Sequence, residues 1–424
     1  MQEGGGTPNQ YICIDLKSFY ASVECVERGL DPFKVNLIVA DPTRTEKTIC
    51  LAASPAIKAL GVPNRCRVFQ IPKDIKYIMA PPRMRLYIRY SAKVYAIYLK
   101  YFAPEDIHVY SVDEAFMDVT HYLSLYKKTV RELAVSILKD IKDTLGLTAT
   151  CGIGTNLYLA KIALDITAKH AADFIGELTE ESYKQLLWDH QPLTDFWMVG
   201  RGTVNRLARV GIFTMRDIAM ADEALLFRLF GVNAEILMDH AWGIEPVTMA
   251  DIKKYRAKSR SISSGQVLAR DYNYKDCRLI VKEMCDLLCL ELVKQHKITD
   301  HIALSLGFSF HVDRRPLSVS EKLSVTTSSN RILTEAMMGL FDRIADPDLY
   351  YRRVSLSFNN LKDEEMEQLD LFTDPQVMAK DRKLQQAALD IKERFGKNAL
   401  LKGMNLEEAG TTIERNGQVG GHRG

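Results

Sequence analysis

The stretch YSVDEAFMDVT, residues 110–120, carries two adjacent carboxylates, Asp113 and Glu114. They sit inside a strand-like alternation of Val112, Ala115, Met117 and Val119. Neighbouring side chains on a strand point to opposite faces. Two adjacent acids repel each other unless something positive lies between them. A turn or a salt-bridged pair is the ordinary explanation. A third acid argues for another: Asp15 ends the apolar run QYICIDL, residues 10–16. If the two strands pair, Asp15 and Asp113 converge on one sheet edge. Three carboxylates around one point suit divalent cations, and Mg²⁺ takes a few carboxylates together with phosphate oxygens. Two such ions ~3.5–4 Å apart activate an attacking hydroxyl and stabilise a departing pyrophosphate.

The elements that must position these acids can be read in order. QYICIDL is a short buried strand, followed by an amphipathic helix SFYASVECVERG with Phe19, Val23 and Val26 on one face. VNLIVAD is a second strand and SPAIKALGV a short helix ended by Gly61. A proline-rich boundary lies near residues 72–83, and a helix covers about 84–103. In residues 126–145, Val130, Leu133, Ala134, Ile137, Leu138, Ile141 and Leu145 recur at helical spacing. LTATCGIGT is a strand running into a glycine turn, and NLYLAKIALDITAK is a helix. This order predicts an α+β sheet, antiparallel at its centre, with helices on one face. Residues 171–243 read as short helices. DIKKYRAKSRSISSGQVLAR, residues 251–270, sets Lys253, Lys254, Arg256, Lys258, Arg260 and Arg270 against one acid, Asp251, and reads as a basic linker entering a strand. A second β–α–β–β–α–β set then predicts a separate small domain at about 254–360.

At 424 residues the chain has room for roughly two to four domains. It is 47% hydrophobic and 26% charged, with a net charge of +2, so overall charge says nothing about partners. There is no apolar run of ~18 or more residues and no signal-peptide pattern at MQEGGGTPNQ. The eight cysteines show no zinc-finger spacing, and Cys285 and Cys289 fall on one helical face as core residues. This usage fits a reducing, cytoplasmic compartment.

IDLKSFYASVE, SVDEAFMDV and AKIALDITAK together resemble the signature segments of the Y-family translesion DNA polymerases, nearest the UmuC-type (ImpB/MucB/SamB-like) branch. Order and spacing match from Tyr11 to about Asn360. The resemblance implies a right-hand architecture: a ferredoxin-like palm (11–18 and 83–170), small fingers (19–82), a helical thumb with a helix-hairpin-helix (171–243), a linker (244–253), a βαββαβ little finger (254–360) and a flexible tail (361–424). It implies a template-directed, low-fidelity polymerase that uses two Mg²⁺ ions to add dNTPs to a primer 3′-OH in damage tolerance. Asp15, Asp113 and Glu114 match the metal-binding carboxylates. Leu16 matches the residue whose backbone carbonyl helps hold a metal. Phe19 and Tyr20 match the aromatic pair under the incoming nucleotide, with Tyr20 as the steric gate against a ribose 2′-OH. Lys58 and Lys161 match phosphate-binding positions. Pro55 replaces the Tyr of the family's Tyr-x-x-Arg arrangement, and Lys58 replaces its Arg, so a hydroxyl contact and a bidentate contact are both lost.

FWMVGRGTVNRLARVGIFTMRDIA, residues 196–219, resembles a helix-hairpin-helix, with Val199 in place of the usual Pro. Gly200 and Gly202 would let the backbone approach a DNA phosphate at a helix N-terminus. The basic residues Lys253, Lys254, Arg256, Lys258 and Arg260 would grip the DNA backbone. In the tail, Gln368, Leu369, Leu371 and Phe372 of EQLDLFTDP resemble a sliding-clamp-binding peptide, with apolar side chains for a pocket and Gln368 for its rim. Primer-template DNA, dNTP, the clamp and accessory SOS proteins are the implied partners. A catalytically silent DNA- and clamp-binding regulator is the alternative; a nucleotide cyclase with a similar palm would lack the DNA- and clamp-binding segments.

Overall fold

A computed structural model describes residues 9–257, 260–366 and 375–424. It divides into two compact units, one through Tyr255 and the other from Arg256 to His422.

The first unit is built on a five-stranded sheet. Strand β1 (Tyr11–Leu16) lies at its centre. Helix α1 (Phe19–Val26) follows, then β2 (Leu37–Val39), β3 (Ala52–Ala53), α2 (Pro55–Ala59), β4 (Ile78–Ala80) and α3 (Met84–Tyr98). Next come β5 (Ile107–Val109), β6 (Glu114–Asp118), α4 (Tyr122–Tyr126), α5 (Val130–Leu145), β7 (Ala149–Gly154), α6 (Leu157–Ile162) and β8 (Ile175–Leu178). The sheet order is β5-β6-β1-β7-β8. The pairings of β1 with β6 and β7 are antiparallel, and β7 with β8 is parallel.

Helices cover both faces of β1, not one face as the element order suggests. Ile12, Ile14 and Leu16 pack into a core shared with Tyr87 and Val94 of α3 and with Leu133, Ile137 and Ile141 of α5. Tyr11 and Cys13 face Leu157, Ala160 and Leu164 across the sheet. A capping box of Thr129 with Glu132 starts α5, and Gly146 at φ 70° ends it. On β7, Gly152 and Gly154 let α6 lie directly on the sheet. A Cβ at Gly152 would fall 2.0 Å from the Ala160 carbonyl oxygen, and one at Gly154 2.2 Å from the Ala160 nitrogen. The helix expected over residues 156–169 is α only to Ile162 and continues as a π-turn over Ala163–Thr167, where the Thr167 hydroxyl donates to the Ala163 carbonyl at 2.7 Å.

Strands β2, β3 and β4 form a separate three-stranded sheet, the fingers of the sequence reading. Ser54 caps α2 and Pro55 occupies its first turn, where a missing N–H costs nothing. The short helices expected over 171–243 are present as α7 (Glu180–Leu187), α8 (Arg201–Ala208), α9 (Met215–Ala219), α10 (Glu223–Phe230) and α11 (Asn233–Trp242). Residues 175–178 are the exception, because β8 completes the palm sheet rather than joining these helices. The linker expected over 244–253 contains helix α12 (Met249–Lys254), capped by Thr248 with Met249 buried beneath it.

In the second unit the expected β–α–β–β–α–β set is present. Its elements are β9 (Ile262–Tyr272), α13 (Tyr274–Lys294), β10 (Lys297–Phe308), β11 (Leu317–Thr327), α14 (Asn330–Ile344) and β12 (Tyr351–Asn359). The antiparallel sheet has order β11-β10-β12-β9. Cys285 and Cys289 are buried, as their spacing suggests. The tail departs from its reading. A short strand, β13 (Lys362–Asp363), pairs with β10, and helix α15 (Pro375–Phe395) packs on this domain. Gln385 of α15 is buried and donates to the Ser328 carbonyl at 3.1 Å. Glu283 of α13, buried in the domain, accepts from Asn405 Nδ2 and the Thr411 backbone N–H, each at 2.8 Å. Residues 375–422 are therefore part of the second unit. Among the described residues no helix is long and apolar enough to cross a membrane.

Candidate active site

The carboxylates meet where β1 and β6 end. Asp15 is the cross-strand partner of Glu114. The Leu16 backbone N–H donates to the Asp113 carbonyl at 3.0 Å, which sets Asp113 beside them. Ser111 orients Asp113 by donating to Oδ1 at 2.7 Å. Burial, then repulsion from Asp113 and Glu114, pushes the Asp15 carboxyl up from 3.8 to about 7. A positive charge close by relieves such crowding.

Glu114 has such a cation. Its Oε1 lies 2.8 Å from Lys161 Nζ and accepts from the Cys13 thiol at 3.3 Å. Lys161 also pairs with Asp165 at 3.1 Å. Burial opposes the Lys161 charge, yet Asp165 and Glu114 raise its proton affinity. Glu114 turns toward Lys161, and no three His, Cys, Asp or Glu side chains among the described residues form a ready-made cation cage. The donor set nonetheless fits a hard divalent cation: Asp15 and Asp113 bring carboxylate oxygens to one edge, and a cation there would relieve the repulsion that lifts Asp15.

Lys58 reaches this edge from the fingers. Its Nζ donates to Ser18 Oγ at 2.8 Å, and burial lowers its proton affinity while Asp15 counteracts that. Ser18 adopts φ 52°, a left-handed turn between β1 and α1. Tyr20 is half-buried, and its ring stacks on that of Tyr87 with centroids 4.4 Å apart and 15° between planes. Burial and the nearby Asp113 raise the Tyr20 hydroxyl. Phe19 is buried in the palm core, its ring centroid 5.5 Å from that of Tyr20 and tilted by 46°.

Gly200 caps α8 and Gly202 lies in its first turn. The helix expected before them is only a 3₁₀ turn over Leu193–Asp195. Neither glycine is demanded by the fold: Gly200 has φ −89°, and a Cβ at either position would meet open space. Lys253 is committed internally, donating to the Pro104 carbonyl at 3.0 Å and to the Ile107 carbonyl, so it anchors α12 to the palm. Lys254 and Arg256 are exposed in the first and second units respectively, and Arg260 is exposed in the second. Lys258 and the peptide Gln368, Leu369, Leu371 and Phe372 lie outside the described residues.

Several participants were not singled out from the sequence. Asp165 stands four residues after Lys161, the spacing of a helical ion pair. Ser111 stands two residues before Asp113, within reach of a local side-chain bond. Glu24 and Tyr87, behind Tyr20, carried no signal beyond the family-like run that contains Glu24.

The impB/mucB/samB family profile matches residues 14–165, and the profile of the family's C-terminal domain matches residues 259–371. A protein of Bacillus subtilis (strain 168) named DNA polymerase IV 2 is 31% identical over 414 residues, covering 96% of this chain and 97% of its own length. A second DNA polymerase IV 2, from Halalkalibacterium halodurans, is 29% identical over 415 residues, covering 96% and 98%. Among solved structures, a Y-family DNA polymerase chimera, Dbh-Dpo4(243-245)-Dbh, superposes with a TM-score of 0.63 at 20% identity, covering 84% of this chain and 99% of the other.

Proposed function

This chain belongs to the impB/mucB/samB family, the Y-family polymerases of UmuC type, and we propose that its carboxylate edge performs two-metal nucleotidyl transfer. The chain is a template-directed DNA polymerase with a translesion role in DNA repair. Its substrates are primer-template DNA and dNTPs.

The primer 3′-OH attacks the α-phosphate of the dNTP, and pyrophosphate leaves. Asp15, Asp113, Glu114 and the Leu16 backbone carbonyl would hold two Mg²⁺ ions, which supply charge neutralisation and a more acidic 3′-OH when bound. The chain's own part is positioning. Lys161 and Lys58 meet the triphosphate from opposite sides of the edge. Tyr20 closes the sugar pocket against a 2′-OH. Gly200 and Gly202 admit a DNA phosphate to the start of α8, and Lys254, Arg256, Lys258 and Arg260 hold the backbone electrostatically. The peptide Gln368–Phe372 docks on a sliding clamp, and accessory SOS proteins act with the enzyme in the cytoplasm. The observation that carries the reading is the paired register of Asp15 and Glu114, with Asp113 tied to Leu16 and Lys161 within 2.8 Å of Glu114.

The test is primer extension on undamaged and abasic templates with Mg²⁺, with Asp113→Ala as the control. Extension that vanishes in the control supports the assignment. Extension that survives it, or none from the parent even with clamp and accessory factors, overturns it.

A further inference from the structure

Behind Tyr20 lies a buried charge that the transfer chemistry does not use. Glu24, on α1 one helical turn after Tyr20, has a side chain with no solvent exposure. Arg83 grips it with two parallel bonds, Nε to Oε1 at 2.9 Å and Nη2 to Oε2 at 2.7 Å. Arg28 pairs with Oε2 and also donates to the Glu24 carbonyl at 2.8 Å. The Tyr87 hydroxyl donates to Oε1 at 2.8 Å. Burial works against ionisation of Glu24, yet these three donors hold its carboxyl below the usual range.

The geometry has a direction. Tyr87 is fully buried, anchored at its hydroxyl by Glu24, and its ring forms the surface on which Tyr20 stacks. Arg83 is the residue from which α3, the helix that carries Tyr87, begins. One carboxylate therefore ties α1 to α3 and fixes the plane behind Tyr20. A fork-shaped, bidentate pair restrains rotation in a way that a single contact cannot.

We infer that Glu24 and Arg83 are positioning residues for sugar selection: they clamp Tyr87, and through it Tyr20, at the depth that excludes a ribose 2′-OH. The inference rests on the reading of Tyr20 as the sugar gate. A gate residue excludes a group about one oxygen wide only if it cannot recede. Loosening the clamp lets the Tyr20 ring retreat toward the vacated space, so ribonucleotides gain access while deoxyribonucleotides bind as before.

The experiment compares kcat/KM for a dNTP and for its rNTP in single-nucleotide primer extension. Arg83 is the first position to vary, because its side chain is 42% exposed and tolerates change without collapse of the core. Arg83→Gln is expected to lower the dNTP-to-rNTP ratio about tenfold, the effect of losing positioning worth roughly one charge-assisted hydrogen bond. Arg83→Lys, which keeps the charge but not the fork, is expected to fall between. Glu24→Gln serves as a second variant. A merely structural role would lower both substrates together and leave the ratio alone, and that result overturns the inference. Tyr20→Ala separates the two ideas. If it leaves the ratio unchanged, the gate reading itself fails. If it collapses the ratio while the Arg83 and Glu24 variants retain the parent's value, only the clamp fails.

Discussion

Replacing Asp15 with Asn should make the metal-free protein more stable at high pH while destroying its activity. Asp15 is half-buried beside Asp113 and Glu114, and its carboxyl is lifted from 3.8 to about 7. A group whose folded value is raised stabilises the fold in its protonated form; that contribution is complete below the unfolded value near 3.8 and is lost as pH climbs through about 7. Above pH 7 the native state carries a charge that the unfolded chain holds far more comfortably. Moving a carboxyl from 3.8 to about 7 corresponds to about 4 kcal/mol. Asn is nearly isosteric and still hydrogen-bonds, but carries no charge, so it recovers at most that amount. For a unit of this size, ~2–4 °C per kcal/mol converts the gain to on the order of 10 °C in Tm. Differential scanning fluorimetry of EDTA-treated protein from pH 4 to pH 8.5 would show parent and Asp15→Asn melting closest together at the acid end, with the gap widening up to about pH 7 and level above it. Adding Mg²⁺ at pH 8 should raise the Tm of the parent and not that of the variant. A constant gap between the two proteins across the pH range would refute the crowded-carboxylate argument, as would equal responses to Mg²⁺.

Lys161→Met leaves Glu114 without its cation and removes a phosphate ligand, so kcat/KM for dNTP should fall on the order of a hundredfold, as loss of one well-placed charge contact does; steady-state extension assays read it. Gly152→Ala drives a methyl group into the Ala160 carbonyl, 2.0 Å away, and should destabilise the first unit by about 3 kcal/mol or more, visible in urea unfolding. Asn405→Ala strips buried Glu283 of one of its two 2.8 Å donors and should cost about 1–3 kcal/mol of second-unit stability, measured on the full chain by chemical denaturation with a probe in that unit. If instead the variant melts like the parent, residues past 375 contribute little to the domain.

The palm was legible because its information is local and periodic. Alternating apolar residues in 10–16 and 110–120 announce strands, and an acid at the end of each announces an edge. The strand at Ile175–Leu178 was harder to read, because four residues after a loop give too little alternation to declare a sheet. Phe19 and Tyr20 are adjacent in the motif, but neighbouring helical residues point about 100° apart, and adjacency alone does not show that Phe19 is buried while Tyr20 is only half-buried. Lys253 looked like part of a DNA-gripping run because a string of cations shows charge but not the carbonyls of Pro104 and Ile107 waiting for one of them. The polar composition of 375–422 suggested a loose end. Its anchors are single residues, Gln385, Asn405 and Thr411, that bury a hydrogen bond rather than an apolar stripe. Glu24 was hidden for a related reason: a charged residue on a helix reads as surface until its three donors, from Arg28, Arg83 and Tyr87, are seen around it.

Residues 375–422 are built into the second domain: Gln385 is buried against the Ser328 carbonyl, and Asn405 and Thr411 donate to buried Glu283. Cutting the chain before Pro375 would therefore not trim an appendage; it would leave a buried carboxylate without its two nearest donors, and a shortened protein would report on a damaged domain.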